Sequence, residues 1–242
     1  NQIKATYGDS SNAYRIRVLG EFALLDDDTL IPADVIDSAM TRDIAPTMND
    51  PMVYGLDVAR FGSDRSALCK RHGSIVTEIK SWSGLDTMQI VGQVANEAKH
   101  DRPEEICVDT IGLGSGVADR LRELGFNVRD VNVSESSALN PSANKLRDEL
   151  WLSVKDWLNT RSVRIPNDPQ LRQELVAPRY TFSSSGKVIV ESKDSLKKRG
   201  MRSPDLADSL CLTFASTVAG VGGRITPWVK GKAIKRKLSG VV

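Results

Sequence analysis

Three strand-length apolar runs follow one another closely, Met52–Val58, Ser66–Arg71 and Ser74–Trp82, and only His72-Gly73 separates the last two. So short a connection obliges those two runs to pair as antiparallel neighbours. From residue 86 the spacing changes. Met88, Val91, Val94, Ala95 and Ala98 recur at steps of three and four, which gives one apolar helical face. Glu105–Asp109 then reads as a strand, Gly112, Gly114 and Gly116 lead into a helix near 116–124, and Asn127–Val133 reads as another strand. Residues 144–159 predict a helix with Leu146, Leu150, Val154, Trp157 and Leu158 on one face, and Pro169–Ala177 a further one. Arg179–Phe182 and Lys187–Glu191 flank Ser183–Gly186 as a hairpin. Ser203-Pro204-Asp205 opens a last helix running to about 219, with Ser203 as N-cap and Pro204 in the first turn. Antiparallel strands first and helix-linked strands later predict an α/β fold, a mixed β-sheet flanked by helices on both faces.

With 242 residues, 40% of them apolar, the chain has material for one domain with short appendages and a real core, which excludes whole-chain disorder. The longest apolar stretch, around Leu210–Val221, is shorter than the roughly 18–20 residues of a membrane span. The chain opens on Asn1 in a polar stretch with no leader pattern, and reads as a fragment or a processed chain. Cys69, Cys107 and Cys211 lie far apart in apolar surroundings and read as buried thiols in a reducing compartment. No CxxC occurs, and His72 and His100 lack ligand-spaced neighbours, which argues against a zinc site and a catalytic histidine. No GxxxxGK[ST] occurs, so the chain has no P-loop for ATP. Gly112-Leu113-Gly114-Ser115-Gly116 is not a dinucleotide fingerprint and reads as a tight turn. Residues 1–50 read as a connector with a short helix near 33–40, residues 51–220 as the globular body, and residues 221–242 as a basic, flexible tail.

The near-neutral total of 33 basic and 31 acidic residues hides an asymmetry. Residues 185–242 carry 12 basic and four acidic residues, net +8, and the rest carries 21 and 27, net −6. A basic end of this kind suits a polyanion, or, from residue 224 onward, a merely solubilising tail.

Asp57 and Asp109 each stand where an apolar strand stops, and burying a carboxylate there is costly unless a cation or strong donors meet it. If the two strands are neighbours, both side chains come to one edge of the sheet. Asp205 falls in the first turn of the last helix, with Asp208 one turn later on nearly the same side. Converging carboxylates are usually reconciled by a hard divalent cation bound through oxygen. Taken singly, each acid has a plainer reading: Asp57 and Asp109 as caps of the loops after their strands, Asp205 as a complement to a helix dipole, Asp208 as a surface acid.

The combination is more specific than its parts. Tyr54–Ser66, Ile106-Cys107-Val108-Asp109, and the stretch from Glu191-Ser192-Lys193 through Arg202-Ser203-Pro204-Asp205-Leu206-Ala207-Asp208-Ser209-Leu210 closely resemble the nuclease domain of large terminase subunits of tailed bacteriophages or prophages. Tyr14–Phe22 resembles the segment that joins the packaging ATPase to that nuclease, so the resemblance covers roughly residues 10–219. It implies a ribonuclease H-like fold and a metal-dependent endonuclease that cuts concatemeric double-stranded DNA when packaging begins and ends. By motif position, the resemblance makes Asp57, Asp109 and Asp205 catalytic and metal-binding, with Mg²⁺ or Mn²⁺ as cofactor in a two-ion site. Asp208 matches the second acid of the helix motif and has a lesser claim to be a direct ligand. Many relatives carry His-Asp-Asp where this chain has Ser203-Pro204-Asp205, so a His-assisted site is not available here.

The hairpin position implies that Lys187, and also Lys193, steer DNA, with Lys197, Lys198, Arg199 and Arg202 adding backbone contacts. The implied partners are double-stranded DNA, an ATPase domain on the same polypeptide, the small terminase subunit and the portal protein, in the cytoplasm of the bacterial host with no membrane. Two alternatives stay open. One is a non-catalytic DNA-guiding or portal-docking domain. The other is an actin-like phosphotransferase fragment, faintly resembled by Gly55–Gly62, though that would need a second similar domain and no internal repeat is visible.

Overall fold

A computed structural model describes residues 29–47, 49–59 and 64–218. The Tyr14–Phe22 segment, Gly62 and the basic tail from 221 lie outside the described residues. Strand β1 (Met52–Asp57) is the centre of a five-stranded sheet. It pairs antiparallel with β2 (Ser66–His72), which pairs antiparallel with β3 (Ile75–Trp82). On its other side β1 runs parallel to β4 (Glu105–Asp109), and β4 runs parallel to β5 (Val128–Val131). The order is β3-β2-β1-β4-β5, the mixed sheet expected from the sequence and from the ribonuclease H-like resemblance.

Side chains alternate across a strand, and that parity sorts the core into two layers. Tyr54 and Leu56 of β1, Leu68 of β2 and Ile106 and Val108 of β4 pack with Ile90 and Val94 of α2 and Val117 and Leu121 of α3. Helix α2 (Thr87–Asp101) and helix α3 (Gly114–Glu123) make the parallel crossovers on this face. The opposite parity, Val53, Cys69 and Cys107, packs against a larger helical layer that includes Trp151, Leu158, Leu171, Leu206 and Phe214. That layer comprises α1 (Ala33–Thr41), α4 (Leu146–Asn159), α5 (Pro169–Val176) and α7 (Asp205–Leu212). The hairpin β6 (Tyr180–Phe182) and β7 (Val188–Val190) and the short α6 (Lys193–Lys198) precede α7. Leu30, Ile31, Ile36 and Ala39, from the stretch expected as connector, are buried in this layer. The three cysteines are buried and form no disulfide among the described residues, and no described helix is long and apolar enough to cross a membrane.

Three local expectations need correction. Helix α3 starts at Gly114 rather than 116, so Gly114 and Gly116 lie inside its first turn and Gly112 in the turn before it. The N-cap of the last helix is Pro204, not Ser203, and the helix has no side-chain cap of its own chain segment. Ser203 Oγ is instead buried without a hydrogen-bond partner. The same helix stops at Leu212 and tightens into a 3₁₀ turn over Thr213–Ala215, rather than running to 219. The reason is competition for its last backbone groups. The buried Arg71 guanidinium donates to Thr213 Oγ1 at 2.8 Å and to the Thr213 carbonyl at 3.0 Å. The Thr217 N–H, which would continue the ladder onto that carbonyl, donates to Glu105 Oε2 at 3.0 Å.

Helix α7 lies directly on β1. A Cβ added at Gly55 would stand 2.1 Å from the Ser209 carbonyl oxygen and 2.9 Å from the Thr213 backbone nitrogen, so no side chain fits between strand and helix. Gly55→Ala must push the helix off the sheet and should cost at least about 1–3 kcal/mol in urea unfolding. Gly92→Ala, mid-α2 with nothing near its added Cβ, should instead gain roughly 0.5–1 kcal/mol. Equal and small effects at both positions would contradict the close helix–strand contact.

Candidate active site

The register of the sheet brings two acids together. In the β1–β4 ladder Gly55 faces Cys107 and Leu56 faces Val108. One residue further on, Asp57 and Asp109 end neighbouring strands on the face that carries α7. Asp57 is buried at 7% exposure, and Asp109 is half-buried. Asp109 Oδ1 accepts the Ile111 N–H at 3.0 Å, a loop-capping bond of the kind the plainer reading foresaw. The loop then folds back so tightly that a Cβ at Gly114 would stand 1.7 Å from the Asp109 carbonyl oxygen, which leaves glycine as the residue that fits.

The other two acids come from α7. Asp205 and Asp208 are three residues apart, hence on one side of the helix, and both are buried. Asp205 Oδ2 accepts the Arg65 N–H at 3.1 Å. Asp208 Oδ1 accepts the Trp151 indole N–H at 3.0 Å, with the Arg147 guanidinium 3.7 Å away. Its Oδ2 is buried and makes no well-directed hydrogen bond.

Lys193 joins these acids. It is the first residue of α6, whose start is fixed by Ser192 accepting the Ser195 N–H. Its Nζ stands 2.8 Å from Asp57 Oδ2, 3.1 Å from Asp208 Oδ2 and 3.7 Å from Asp205 Oδ1. Three carboxylates from two elements therefore surround one ammonium. Asp109 makes no such pair but lines the same cleft, of about 420 Å³, together with Asp57, Asp208, Lys193 and Arg147.

The electrostatics follow from burial against this one cation. Burial pushes the Asp57 carboxyl up to about 7, with Lys193 opposing and the charges of Asp208 and Asp205 adding to it. Burial likewise raises Asp109. For Asp208 burial acts upward too, but Lys193 and Arg147 outweigh it and hold the group below its ordinary value. Burial would lower the Lys193 ammonium, yet Asp208 and Asp57 hold it well above the usual lysine range.

Every acceptor here is a carboxylate oxygen, the donor set that suits a hard divalent cation rather than zinc or copper. The strand-end pair Asp57 and Asp109, with the buried Asp208 Oδ2 that now faces the Lys193 ammonium at 3.1 Å, fit such an ion. Among the described residues, however, no three acidic, cysteine or histidine side chains already stand in a metal-holding group. The ammonium of Lys193 lies where the acids converge.

The cations expected to meet DNA do not form one array. Lys193 belongs to the acid cluster, Lys197 pairs with Asp64 at 2.8 Å, and Arg199 forks onto Glu191 at 2.7 and 2.8 Å. Lys187 sits partly exposed after the β6–β7 turn, while Lys198 and Arg202 are exposed with no ion pair among the described residues. Arg147, Trp151 and Glu174 border the acids and were not foreseen. The one sequence signal for them is Glu174, a carboxylate on the apolar α5 stripe of Leu171 and Leu175.

No family model matches the sequence. No curated protein matches it either. Solved structures do. The nuclease domain of the large terminase subunit gp2 of bacterial virus Sf6 matches with a TM-score of 0.65 at 20% identity, covering 76% of this chain and 97% of that one. The large terminase nuclease of thermophilic phage G20c matches with a TM-score of 0.59 at 17% identity, covering 78% of this chain and 98% of that one. Further structures of these two domains hold manganese and magnesium, respectively. The chain thus has the fold of the nuclease domains of phage large terminase subunits, a ribonuclease H-like mixed sheet between two helical layers.

Proposed function

We propose that this chain is the nuclease part of a phage DNA-packaging terminase, a metal-dependent endonuclease that cuts concatemeric double-stranded DNA when packaging starts and ends. The observation that carries the reading is the meeting of Asp57, Asp205 and Asp208 around one point, with Asp109 on the same sheet face. Asp57, Asp109 and Asp205 would hold Mg²⁺ or Mn²⁺ ions, two in number, with Asp208 contributing through Oδ2 once Lys193 withdraws from it. Such ions, when bound, lower the pKa of water and stabilise a leaving oxygen in phosphodiester hydrolysis.

The chain's own residues do the rest. Trp151 and Arg147 fix the orientation of Asp208. Lys193 offsets the mutual repulsion of three acids, and its ammonium must release Asp57 Oδ2 before a cation takes that oxygen. Lys198 and Arg202, exposed on the segment that leads into α7, contact the DNA backbone, with Lys187 on the hairpin. In this reading residues 51–220 form the nuclease body, onto which Leu30, Ile31, Ile36 and Ala39 of the connector stretch pack, and the ATPase, the small subunit and the portal are partners in the host cell. One observation favours a second reading, a DNA-guiding domain without chemistry: the Lys193 ammonium already occupies the point where the acids converge.

Cleavage distinguishes the two. Nicking of supercoiled plasmid in Mn²⁺ should be lost in EDTA and fall by more than about 100-fold in Asp57→Asn and Asp109→Asn. Unchanged nicking in either variant would remove the acids from the chemistry. Lys198→Ala and Arg202→Ala should weaken DNA binding whatever the sequence and each reduce the slope of log affinity against log salt by about 1. A pH effect follows without metal. The folded state protonates Asp57 near 7 against 3.8 when unfolded, so its stabilising contribution is full below pH 3.8 and lost as pH rises to about 7. Glu174 acts the same way, from 4.5 to about 7. Urea melts in EDTA should therefore give lower stability at about pH 7.5 than at about pH 5, and Asp57→Asn should flatten that difference. Parallel profiles for wild type and variant would contradict it.

A further inference from the structure

We infer that Glu174, on α5, is a positioning residue for Asp205, and that α5 is the mount on which the third acid of the site is held. The inference rests on the reading of the acids as metal ligands. Helix α7 begins at Asp205 with no side-chain cap from its own segment. Its first amides are taken by a distant carboxylate: Glu174 Oε2 accepts the Leu206 N–H at 2.7 Å and the Ala207 N–H at 3.2 Å. Glu174 Oε1 accepts from Gln170 Nε2 at 2.7 Å and faces the Arg65 guanidinium at 3.4 Å. That guanidinium also donates to Gln170 Oε1 at 3.0 Å. The Arg65 backbone N–H, in turn, is the donor to Asp205 Oδ2 at 3.1 Å. One turn of α5 thus grips Asp205 from both sides, through the helix backbone that follows it and through the residue that binds its carboxylate.

A cap for stability alone would not be built this way. Ser203 stands one residue before the helix cap with its hydroxyl buried and unpartnered, and a serine, threonine or aspartate in the cap position would satisfy the same amides locally. Glu174 is instead a carboxylate at 5% exposure placed close to the Asp205 carboxylate, an arrangement costly in desolvation and repulsion. What it gives in return is a fixed relation between α5, Arg65 and the start of α7. Outer contacts that orient a metal ligand have measurable weight in metal affinity, about 10–100-fold when lost.

The test uses the full chain with Mn²⁺ as the probe, read by calorimetric titration, urea melting and the kcat and KM of plasmid nicking. Glu174→Ala should weaken Mn²⁺ binding by about 10-fold or more and lower kcat while KM for DNA stays unchanged. Glu174→Gln keeps an oxygen for the Leu206 and Ala207 amides and should recover most of both losses; a Gln variant as impaired as Ala would tie the effect to charge and overturn the inference. Gln170→Ala, which leaves Glu174 in place and frees one arm of Arg65, should show a smaller loss of Mn²⁺ affinity, and it carries the test if Glu174→Ala melts out. Asp57→Asn separates the two levels. If wild type and Asp57→Asn alike take up no Mn²⁺, the metal reading fails and this inference with it. If Asp57→Asn loses Mn²⁺ but folded Glu174 and Gln170 variants bind as wild type does, the inference alone is overturned.

Discussion

Like charges gathered in a buried place are the constraint from which the rest of this structure is best understood. Two unit charges 4 Å apart repel by about 4 kcal/mol at the effective dielectric of a protein surface, and this chain brings three carboxylates to one ammonium with a fourth nearby. A sheet ladder and a helix backbone can enforce such proximity because their geometry is set by hydrogen bonds rather than by the side chains concerned. The strand parity that buries Val53 on the α7 side also points Asp57 there, and the parallel ladder carries Asp109 alongside. Lys193 makes the cluster tolerable, which is why α6, only six residues long, matters out of proportion to its size.

The strands, their order of appearance and the two strand-end acids were legible in the sequence because they depend on local period and on a carboxylate interrupting an apolar run. The helix acids were legible for the same reason, as a pair on one side of a capped start. The start itself was misread. Serine before proline is a strong local signal, but Glu174, 32 residues from Leu206, takes the Leu206 amide that Ser203 would have capped. The end was misread because Arg71 reaches 142 residues along the chain to claim the Thr213 carbonyl.

Lys193 carries the same lesson. In the sequence it is one of many cations in a basic region, and nothing within a few residues tells it from Lys197 or Lys198. Its partner Asp57 is 136 residues away. Trp151 is fully buried in the core, and its indole N–H ends on Asp208. Polar partners of a site are set by tertiary contact, so a one-dimensional pattern locates the acids and leaves their surroundings blank.

The contact between Gly55 and the Ser209 carbonyl has a consequence for divergence. Because main chain rests on main chain there, the spacing between β1 and α7 is governed by atomic radii that no substitution elsewhere can alter. Side chains in the outer layers are then free to turn over so long as volume is kept. Fold and side-chain identity are separable to that extent: the Sf6 domain matches this chain with a TM-score of 0.65 at 20% identity.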